Sequence, residues 1–290
     1  MFQGAISAVV TPFRDGEVDE PRLRELIEWQ IQEGIDGIVP CGSTGESATL
    51  SHGEHERVIR IAVEQSRRRV PVLAGTGSNS TAEALRLTRY AREAGADGAL
   101  MISPYYNRPT QEGIYRHYKT IAASVDLPII VYNIPSRTGS NVTAETLQRL
   151  SALSNIVAVK EAAGSMDQVS DMRRLCGERF TILSGDDSLT VPMMALGAKG
   201  VISVLSNVMP RETHELAAAA LAGDFARARE VHYRTLALMR ALFLETNPIP
   251  VKQALSFMGK CSAEMRMPLT QMSEPAAEKL RGVMKELGLV

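Results

Sequence analysis

The chain of 290 residues has only three cysteines, Cys41, Cys176 and Cys261, which lie far apart and form no C-x-x-C pair. An odd, scattered set of thiols excludes a disulfide framework and a cysteine-built zinc site, and is read as three reduced cysteines. Net charge is nearly absent too, since Lys+Arg 32 against Asp+Glu 33 leaves -1. No bulk field then draws phosphate backbones or anionic lipid, so neither nucleic acid nor a membrane is an expected partner. No apolar run approaches the roughly 18 residues needed to cross a bilayer. The stretch Met1–Val10 lacks the basic segment that precedes the apolar part of a signal peptide. The expected compartment is the cytoplasm. No low-complexity linker interrupts the chain, and 44% hydrophobic with 22% charged residues is the usage of a globular protein with a sizeable core.

What the sequence does have is repetition. Glu33-Gly34-Ile35-Asp36-Gly37-Ile38-Val39, Ala94-Gly95-Ala96-Asp97-Gly98-Ala99-Leu100 and Leu196-Gly197-Ala198-Lys199-Gly200-Val201-Ile202 share one pattern, a helix stop followed at once by a strand. The first glycine permits the left-handed conformation that ends a helix, and the second permits close packing where the turn enters a sheet. Eight short apolar runs fit that unit: 5–10, 37–39, 70–74, 98–102, 128–132, 156–159, 180–183 and 201–204. Their near-continuous apolarity marks strands buried on both faces. Amphipathic stretches at 21–33, 54–68, 81–93, 111–124 and 144–153 alternate with them. The pattern predicts an α/β protein, a (β/α)8 TIM barrel over residues 1–223, followed by a C-terminal helical domain over 224–290. That extension reads as helices at 224–244, 251–258 and 274–287, punctuated by Pro248, Pro250, Pro268 and Pro275. The basic triplet Arg67-Arg68-Arg69 reads as the cationic close of a helix.

A barrel of this kind places its chemistry at the carboxyl ends of its strands. The polar residues there are Thr11, Ser43-Thr44-Gly45-Glu46, Thr76, Tyr105-Tyr106, Tyr132, Lys160-Glu161, Gly185-Asp186-Asp187 and Ser206-Asn207. Lys160 stands apart because it follows Ile156-Val157-Ala158-Val159, whereas the other six lysines sit on helices or turns. Burial lowers a lysine pKa toward the 7 to 8 or so that suits attack on a carbonyl. The alternative is a lysine whose stem lines the mouth while its amine reaches water. Tyr132 ends the neighbouring strand, as a proton shuttle beside that amine or as a core aromatic with a satisfied hydroxyl. The glycine-bracketed turn Gly42-Ser43-Thr44-Gly45-Glu46 presents backbone N–H groups suited to a carboxylate.

Cofactor and metal signals are weak. The turn lacks the G-K-[ST] ending of a phosphate loop, and Gly75-Thr76-Gly77-Ser78-Asn79-Ser80 lacks the third glycine of a dinucleotide fingerprint. His52 and His55 have no third ligand and sit inside a Ser51/Glu54 capping box, and His214-Glu215-Leu216-Ala217-Ala218 lacks a second histidine. Asp186-Asp187-Ser188 reads as a helix N-terminus. Neither a metal nor a cofactor is expected.

Taken together, Gly42-Ser43-Thr44-Gly45-Glu46-Ser47, Tyr105-Tyr106-Asn107, Tyr132-Asn133-Ile134-Pro135-Ser136-Arg137-Thr138-Gly139 and Val159-Lys160-Glu161 make the chain resemble the dihydrodipicolinate synthase family over essentially its whole length. These are pyruvate-dependent class I aldolases on a (β/α)8 barrel. The resemblance implies that Lys160 forms a Schiff base with pyruvate and that the Ser43-Thr44 turn receives the pyruvate carboxylate. It implies a proton relay of Tyr132, Thr44 and Tyr106, the last reaching into a neighbouring subunit's site, and a homotetramer built as a dimer of dimers. Arg137 would hold the carboxylate of the second substrate, aspartate 4-semialdehyde, and the Ile202 carbonyl matches a position near the relay. Ser43 stands where threonine is usual. That change leans toward the related N-acetylneuraminate lyases, whereas Arg137 leans away, because a short aldehyde with its own carboxylate calls for a guanidinium clamp.

The same resemblance matches Ser47, Ala48, His52, His55, Gly77, Asn79, Glu83 and Tyr105 to a site for the feedback inhibitor lysine, with Asn79 replacing the usual aspartate. Glu83 would receive the α-amino group and the histidines the ε-amine. Two other readings use the same fold: a keto-acid sensor without turnover and a phosphate-binding isomerase. Only an imine-forming enzyme would be labelled irreversibly at Lys160 by pyruvate and borohydride.

Overall fold

The structure, a computed structural model, describes residues 2–290. Eight parallel strands, β1 (Gly4–Ala8), β2 (Gly37–Val39), β3 (Leu73–Gly75), β4 (Gly98–Ile102), β5 (Ile129–Asn133), β6 (Ile156–Glu161), β7 (Thr181–Ser184) and β8 (Gly200–Ser203), form one sheet. Its order is β2-β1-β8-β7-β6-β5-β4-β3, and an Ile38–Val72 bridge between the two end strands closes it into a barrel.

The helices that follow the strands are α1 (Glu20–Gln32), α2 (His52–Ser66), α3 (Thr81–Ala94), α4 (Gln111–Ser124), α5 (Ala144–Ser151), α6 (Met166–Cys176), α7 (Thr190–Ala195) and α8 (Pro210–Leu221). Three more, α9 (Phe225–Ala241), α10 (Ile249–Phe257) and α11 (Glu274–Glu286), come after the last barrel helix. The barrel with its trailing helices is thus the expected architecture. No helix among the described residues is long and apolar enough to cross a membrane.

Side chains alternate in and out along each strand, as a pleat requires. Ile6, Ala8, Val39, Leu73, Leu100, Ile130, Tyr132, Ala158, Leu183 and Ile202 fill the barrel interior. Their neighbours Ile38, Val72, Met101, Val131, Val159, Ile182 and Val201 pack outward on the helices. That outer core runs on without a break into Leu238, Val251, Leu255 and Leu280 of the trailing helices.

The helix stops behave as the repeat predicts. Gly34, Gly95 and Gly197 take φ of 91°, 88° and 98°. At Gly200 a Cβ would sit 2.0 Å from the Gly4 carbonyl oxygen, so only glycine allows β8 to approach β1.

Differences from the sequence reading are local. The third strand starts at Leu73 rather than 70, because Pro71 brings no N–H to the ladder and Val72 N donates to Asp97 Oδ2 at 2.8 Å instead. The first ends at Ala8, and Val10 N donates to Asn207 Oδ1 as the chain turns into the hairpin Phe13–Arg14/Glu17–Val18. The Arg67–Arg69 triplet lies past the end of α2 rather than in its last turn. There Arg67 and Arg68 adopt positive φ, and Arg69 forks onto Glu28. The Ser51/Glu54 capping box is present.

Candidate active site

Strand parity decides where Lys160 points. Ala158 faces the interior and Val159 the helices, so Lys160, two residues beyond Ala158, faces the interior at the carboxyl end of β6. Register places Tyr132 of β5 and Leu183 of β7 beside it. The amine lies 4.2 Å from the centre of the Tyr132 ring, and the lysine is 6% exposed.

Burial is the main force on this amine and lowers its pKa to about 8. The Asp187 carboxylate pulls the value up and the Arg137 cation pushes it further down. Burial also raises the Tyr132 phenol to about 12, against opposing effects from Arg137 and the Ser43 hydroxyl. The pair is therefore an amine that loses its proton within the physiological range and a phenol that keeps its own.

The turn Gly42–Glu46 folds against this pair. Gly45 N and Ser47 N donate to Gly42 O at 3.1 and 3.4 Å, Glu46 N donates to Ser43 O at 3.2 Å, and Thr11 Oγ1 donates to Gly45 O at 2.7 Å. Among the described residues, the amides of Ser43 and Thr44 donate to no other group of the chain, which leaves two adjacent N–H groups for an anion. A Cβ on Gly75 would come within 2.0 Å of Cys41 O, so the next strand can press against the turn only as glycine.

Glu46 closes the turn in a left-handed conformation, φ 54°. Its Oε1 accepts from Lys252 Nζ of α10 at 2.7 Å, with both side chains fully shielded, and its Oε2 accepts from Arg266 N at 3.3 Å. A buried ion pair between a turn and a helix more than 200 residues later is a clamp.

A second tie crosses the same gap. Asn247 Nδ2 donates to Thr44 Oγ1 at 3.0 Å, and Asn247 O accepts from Arg137 Nη2 at 2.9 Å. The guanidinium is carried by the single helical turn Pro135–Thr138, at the mouth beyond β5. Ile202 is fully buried in β8 within the interior cluster that includes Tyr132.

Sequence reading missed Lys252, Asn247 and the role of Asp187. Asp186 caps the short turn Asp187–Leu189 as expected. Asp187 instead turns inward, accepting from Ser203 Oγ at 2.5 Å, Val204 N at 3.0 Å and Leu205 N at 2.9 Å, and so ties β7 to the end of β8. Glu161, next to the lysine, faces the opposite side and accepts from Asn133, Gln168 and Ala163 N. The NPIPVK stretch containing Asn247 and Lys252 has an apolar helical pattern, and nothing in it marks the two polar residues as partners of the turn.

The remaining expected residues separate into two places. Tyr106 is 89% exposed with φ 70°, and it has no hydrogen bond to Lys160, Tyr132 or Thr44 within the chain. Around Glu83 a polar cluster does form. His52 Nε2 lies 2.7 Å from Glu83 Oε1, and the Ser78 hydroxyl donates to Glu83 Oε2. These bonds, from Ser78 first and then His52, lower the Glu83 pKa. His55 lies deeper, its Nε2 2.7 Å from Gly75 O, and burial lowers its pKa. Asn79 O accepts from Asn107 Nδ2 at 2.9 Å, and Ser47 and Ala48 sit in the 3-10 turn ahead of α2. A Cβ on Gly77 would lie 2.3 Å from Ile102 N. Tyr105 is half-buried at the edge of this cluster.

Among the described residues no group of three or more His, Cys, Asp or Glu side chains is placed to hold a metal ion. The sequence profile of the Dihydrodipicolinate synthetase family matches residues 1–287. The chain is 60% identical over 290 residues to the 4-hydroxy-tetrahydrodipicolinate synthase of Syntrophus aciditrophicus, covering all of both chains. Its fold superposes with a TM-score of 0.98 on dihydrodipicolinate synthase from Aquifex aeolicus, 56% identical with 99% of each chain covered. It superposes with 0.98 on the pyruvate complex from Acinetobacter baumannii, 44% identical with all of both chains covered. With the lysine-bound enzyme from Cyanidioschyzon merolae the score is 0.96 at 40% identity, covering 100% of this chain and 99% of that one.

Proposed function

The chain belongs to the dihydrodipicolinate synthetase family and has the lyase activity of a 4-hydroxy-tetrahydrodipicolinate synthase, in lysine and diaminopimelate biosynthesis; on that premise we propose that Lys160 is its Schiff-base amine. One observation carries the assignment. Lys160 is an amine buried at the carboxyl end of a barrel strand, against a buried phenol.

Pyruvate enters with its carboxylate on the free amides of Ser43 and Thr44. Neutral Lys160 attacks the keto carbon, and the carbinolamine oxygen leaves as water once it has gained a proton. Tyr132, whose raised pKa keeps it protonated, is the donor at that step. Thr44 and Tyr106 extend the relay toward solvent, and Tyr106 is supplied by a neighbouring subunit of a homotetramer arranged as a dimer of dimers. Its near-complete exposure in one chain supports that reading.

The Tyr132 phenolate left by that donation then takes a methyl proton from the imine. The resulting enamine carbon attacks the aldehyde of L-aspartate 4-semialdehyde, whose carboxylate rests on Arg137. The aldehyde oxygen, becoming an alkoxide, is protonated to the hydroxyl by the substrate's own ammonium, which frees the amine for the closing step. In the closing step the substrate's own amine forms a bond to the imine carbon, the bond to Lys160 Nζ breaks, and one proton passes from the substrate nitrogen to Nζ. The enzyme returns to its starting state without any external cofactor.

Lysine is proposed to bind the cluster of Ser47, Ala48, His52, His55, Gly77, Asn79, Glu83 and Tyr105. The Glu83 carboxylate, held ionised, suits a cationic ligand, and a relative is known with lysine bound.

The deciding experiment incubates the enzyme with pyruvate and borohydride and maps the adduct by mass spectrometry. Modification at Lys160, lost in Lys160→Ala, is expected. An adduct of unchanged mass on the variant would refute the assignment.

A further inference from the structure

One carboxylate beside the nucleophile has no task in the mechanism above. Glu161 follows Lys160 on β6 and faces outward, in the layer where Val131 and Val159 pack on the helices. It is 1% exposed, and among the described residues no cation pairs with it. A buried charge without a counter-ion is costly, and this layer otherwise holds apolar side chains, so packing does not account for it.

Its partners do. The register of the sheet sets Asn133 opposite Glu161, one step beyond Tyr132 opposite Lys160. Glu161 Oε2 accepts from Asn133 Nδ2 at 2.9 Å and from Gln168 Nε2 at 3.2 Å, and Oε1 accepts from Ala163 N at 2.6 Å. Burial pushes its pKa up, and the bonds from Asn133, Ala163 N and Gln168 pull against that. The acceptors of the two amides are already used, since Val142 N donates to Asn133 Oδ1 and Asn141 Nδ2 donates to Gln168 Oε1. Three donors therefore converge on one side chain, and an ionised carboxylate satisfies them with both oxygens. On the other flank Gly185 N donates to Glu161 O at 2.7 Å, and a Cβ on Gly185 would lie 3.1 Å from Lys160 Cε, so the lysine stem is confined there too.

We propose that Glu161 is a positioning residue for imine formation: its carboxylate fastens the ends of β5 and β6 from the outer face and so holds the Lys160 amine against the Tyr132 phenol on the inner face. The proposal rests on the reading of Lys160 as the Schiff-base amine. Tyr132 and Lys160 stand next to last on their strands, where the ladder alone leaves a pair free to fray. Gln168 anchors the lock to α6, and Asn141, whose main-chain oxygen accepts from Gln111 Nε2, anchors it to α4. Attack on the keto carbon and proton transfer from the phenol need the two groups aligned, and a slip of about 1 Å costs on the order of a hundredfold in rate. Pyruvate's carboxylate, by contrast, is received on the turn after β2, which the lock does not touch. Rate and binding should therefore separate.

The test follows imine formation by quenching with borohydride at timed intervals over a range of pyruvate concentrations. Glu161→Gln sets an amide N–H against the converging donors. It is expected to lower the limiting rate at least tenfold while the half-saturating pyruvate concentration moves less than threefold. The swap Glu161→Gln/Gln168→Glu returns a carboxylate to the network, with the new amide donating to it and accepting from Ala163 N. The swapped enzyme is expected within threefold of the wild-type limiting rate.

An undiminished rate in Glu161→Gln overturns the proposal, as does a half-saturation that rises in step with the loss of rate. A swap that melts like wild type yet stays as slow as the single variant also overturns it. If Glu161→Gln does not fold, the rate of the swap decides. If neither folds, Gln168→Leu decides: at a half-buried helix position it removes one donor, and a two- to fivefold slower limiting rate is expected, whereas the wild-type rate overturns the proposal. A wild-type enzyme that gives no adduct at Lys160 would overturn the Schiff-base reading itself. Trapping at Lys160 that is equally fast in every variant removes only the role of Glu161.

Discussion

Replacing Lys252 with methionine would leave the Glu46 carboxylate buried without its counter-ion. The two groups meet at 2.7 Å with neither exposed to solvent, so no water stands ready to substitute for the lost ammonium. Methionine preserves the length of the side chain and suits its contact with Phe13, whose ring centre lies 4.2 Å from Nζ. Breaking one side of a buried pair costs about 3–5 kcal/mol, mostly the desolvation of the charge left behind. Unfolding entropy of roughly 2.1 cal/mol/K per residue gives about 0.6 kcal/mol/K for this length, so Tm should fall by about 5–8 °C. The double variant Glu46→Gln/Lys252→Met removes both charges and should recover most of that loss. Because Glu46 holds the far end of the turn that presents the Ser43 and Thr44 amides, the single variant should also raise the KM for pyruvate. Thermal melting of the three proteins at one concentration, with pyruvate saturation curves, is the measurement. A single variant melting within about 1 °C of wild type, or a double variant no better than the single, would refute the clamp.

Lys160 must be neutral to attack, so kcat/KM for pyruvate should climb with pH and level off above about 8. Its folded pKa lies below its unfolded value near 10.5, so the unfolded chain binds the extra proton between those two values, and this group's contribution to stability rises with pH across that window. Arg137→Ala should raise the KM of the aldehyde by about 10- to 150-fold, corresponding to roughly 1.5–3 kcal/mol for a charge-assisted bond. It should also move the midpoint of the pyruvate pH profile upward, because the lost cation had been pushing the Lys160 pKa down; equal effects on both Michaelis constants would contradict the assignment. Tyr106→Phe keeps the ring but removes the hydroxyl, so turnover should drop while the assembly seen by sedimentation is unchanged, and a dissociated protein of undiminished rate would make it a packing residue. Glu83→Ala should relieve inhibition by free lysine and leave uninhibited turnover near wild type; calorimetry showing no binding of millimolar lysine to the unmodified enzyme would mean that this surface is no inhibitor site.

Local signals carried the barrel. Strands buried on both faces announce themselves as apolar runs, and each helix stop needs a glycine at a fixed offset, so Gly34, Gly95 and Gly197 could be placed from spacing alone. Lys160 was legible for the same reason, since a charge at the end of an apolar strand violates the pattern around it. What escaped notice lies across long separations in the chain. Lys252 and Glu46 are 206 residues apart, and Asn247 and Thr44 are 203 apart. A polar residue on a helix looks solvated until its partner is in view. Asp187 escaped for a subtler reason: a pair of aspartates before a serine is what a capping sequence looks like, and only one of the two was needed for the cap. His55 was read with His52 as one pair inside the Ser51/Glu54 capping box, yet three residues of helical rotation separate them, carrying the His55 ring inward to Gly75 O.

These separations explain why the barrel alone is not the unit of chemistry. The strands supply the amine and the phenol, but an amine at an open barrel mouth would meet water and keep its ordinary pKa. The segment from Asn247 to Lys252 crosses that mouth, fastening Thr44 and Arg137 with one residue and Glu46 with another. It thereby keeps the loops over the lysine in one arrangement and preserves the burial that sets the amine near pKa 8. The hydrophobic core that continues from the barrel helices into α9, α10 and α11 holds the segment there. The proposed relay extends the same logic outward: Tyr106 is exposed, so under that reading its hydroxyl would serve the site of a neighbouring chain. On the proposed mechanism, folding of the trailing helices would govern the nucleophile and assembly would govern the proton path.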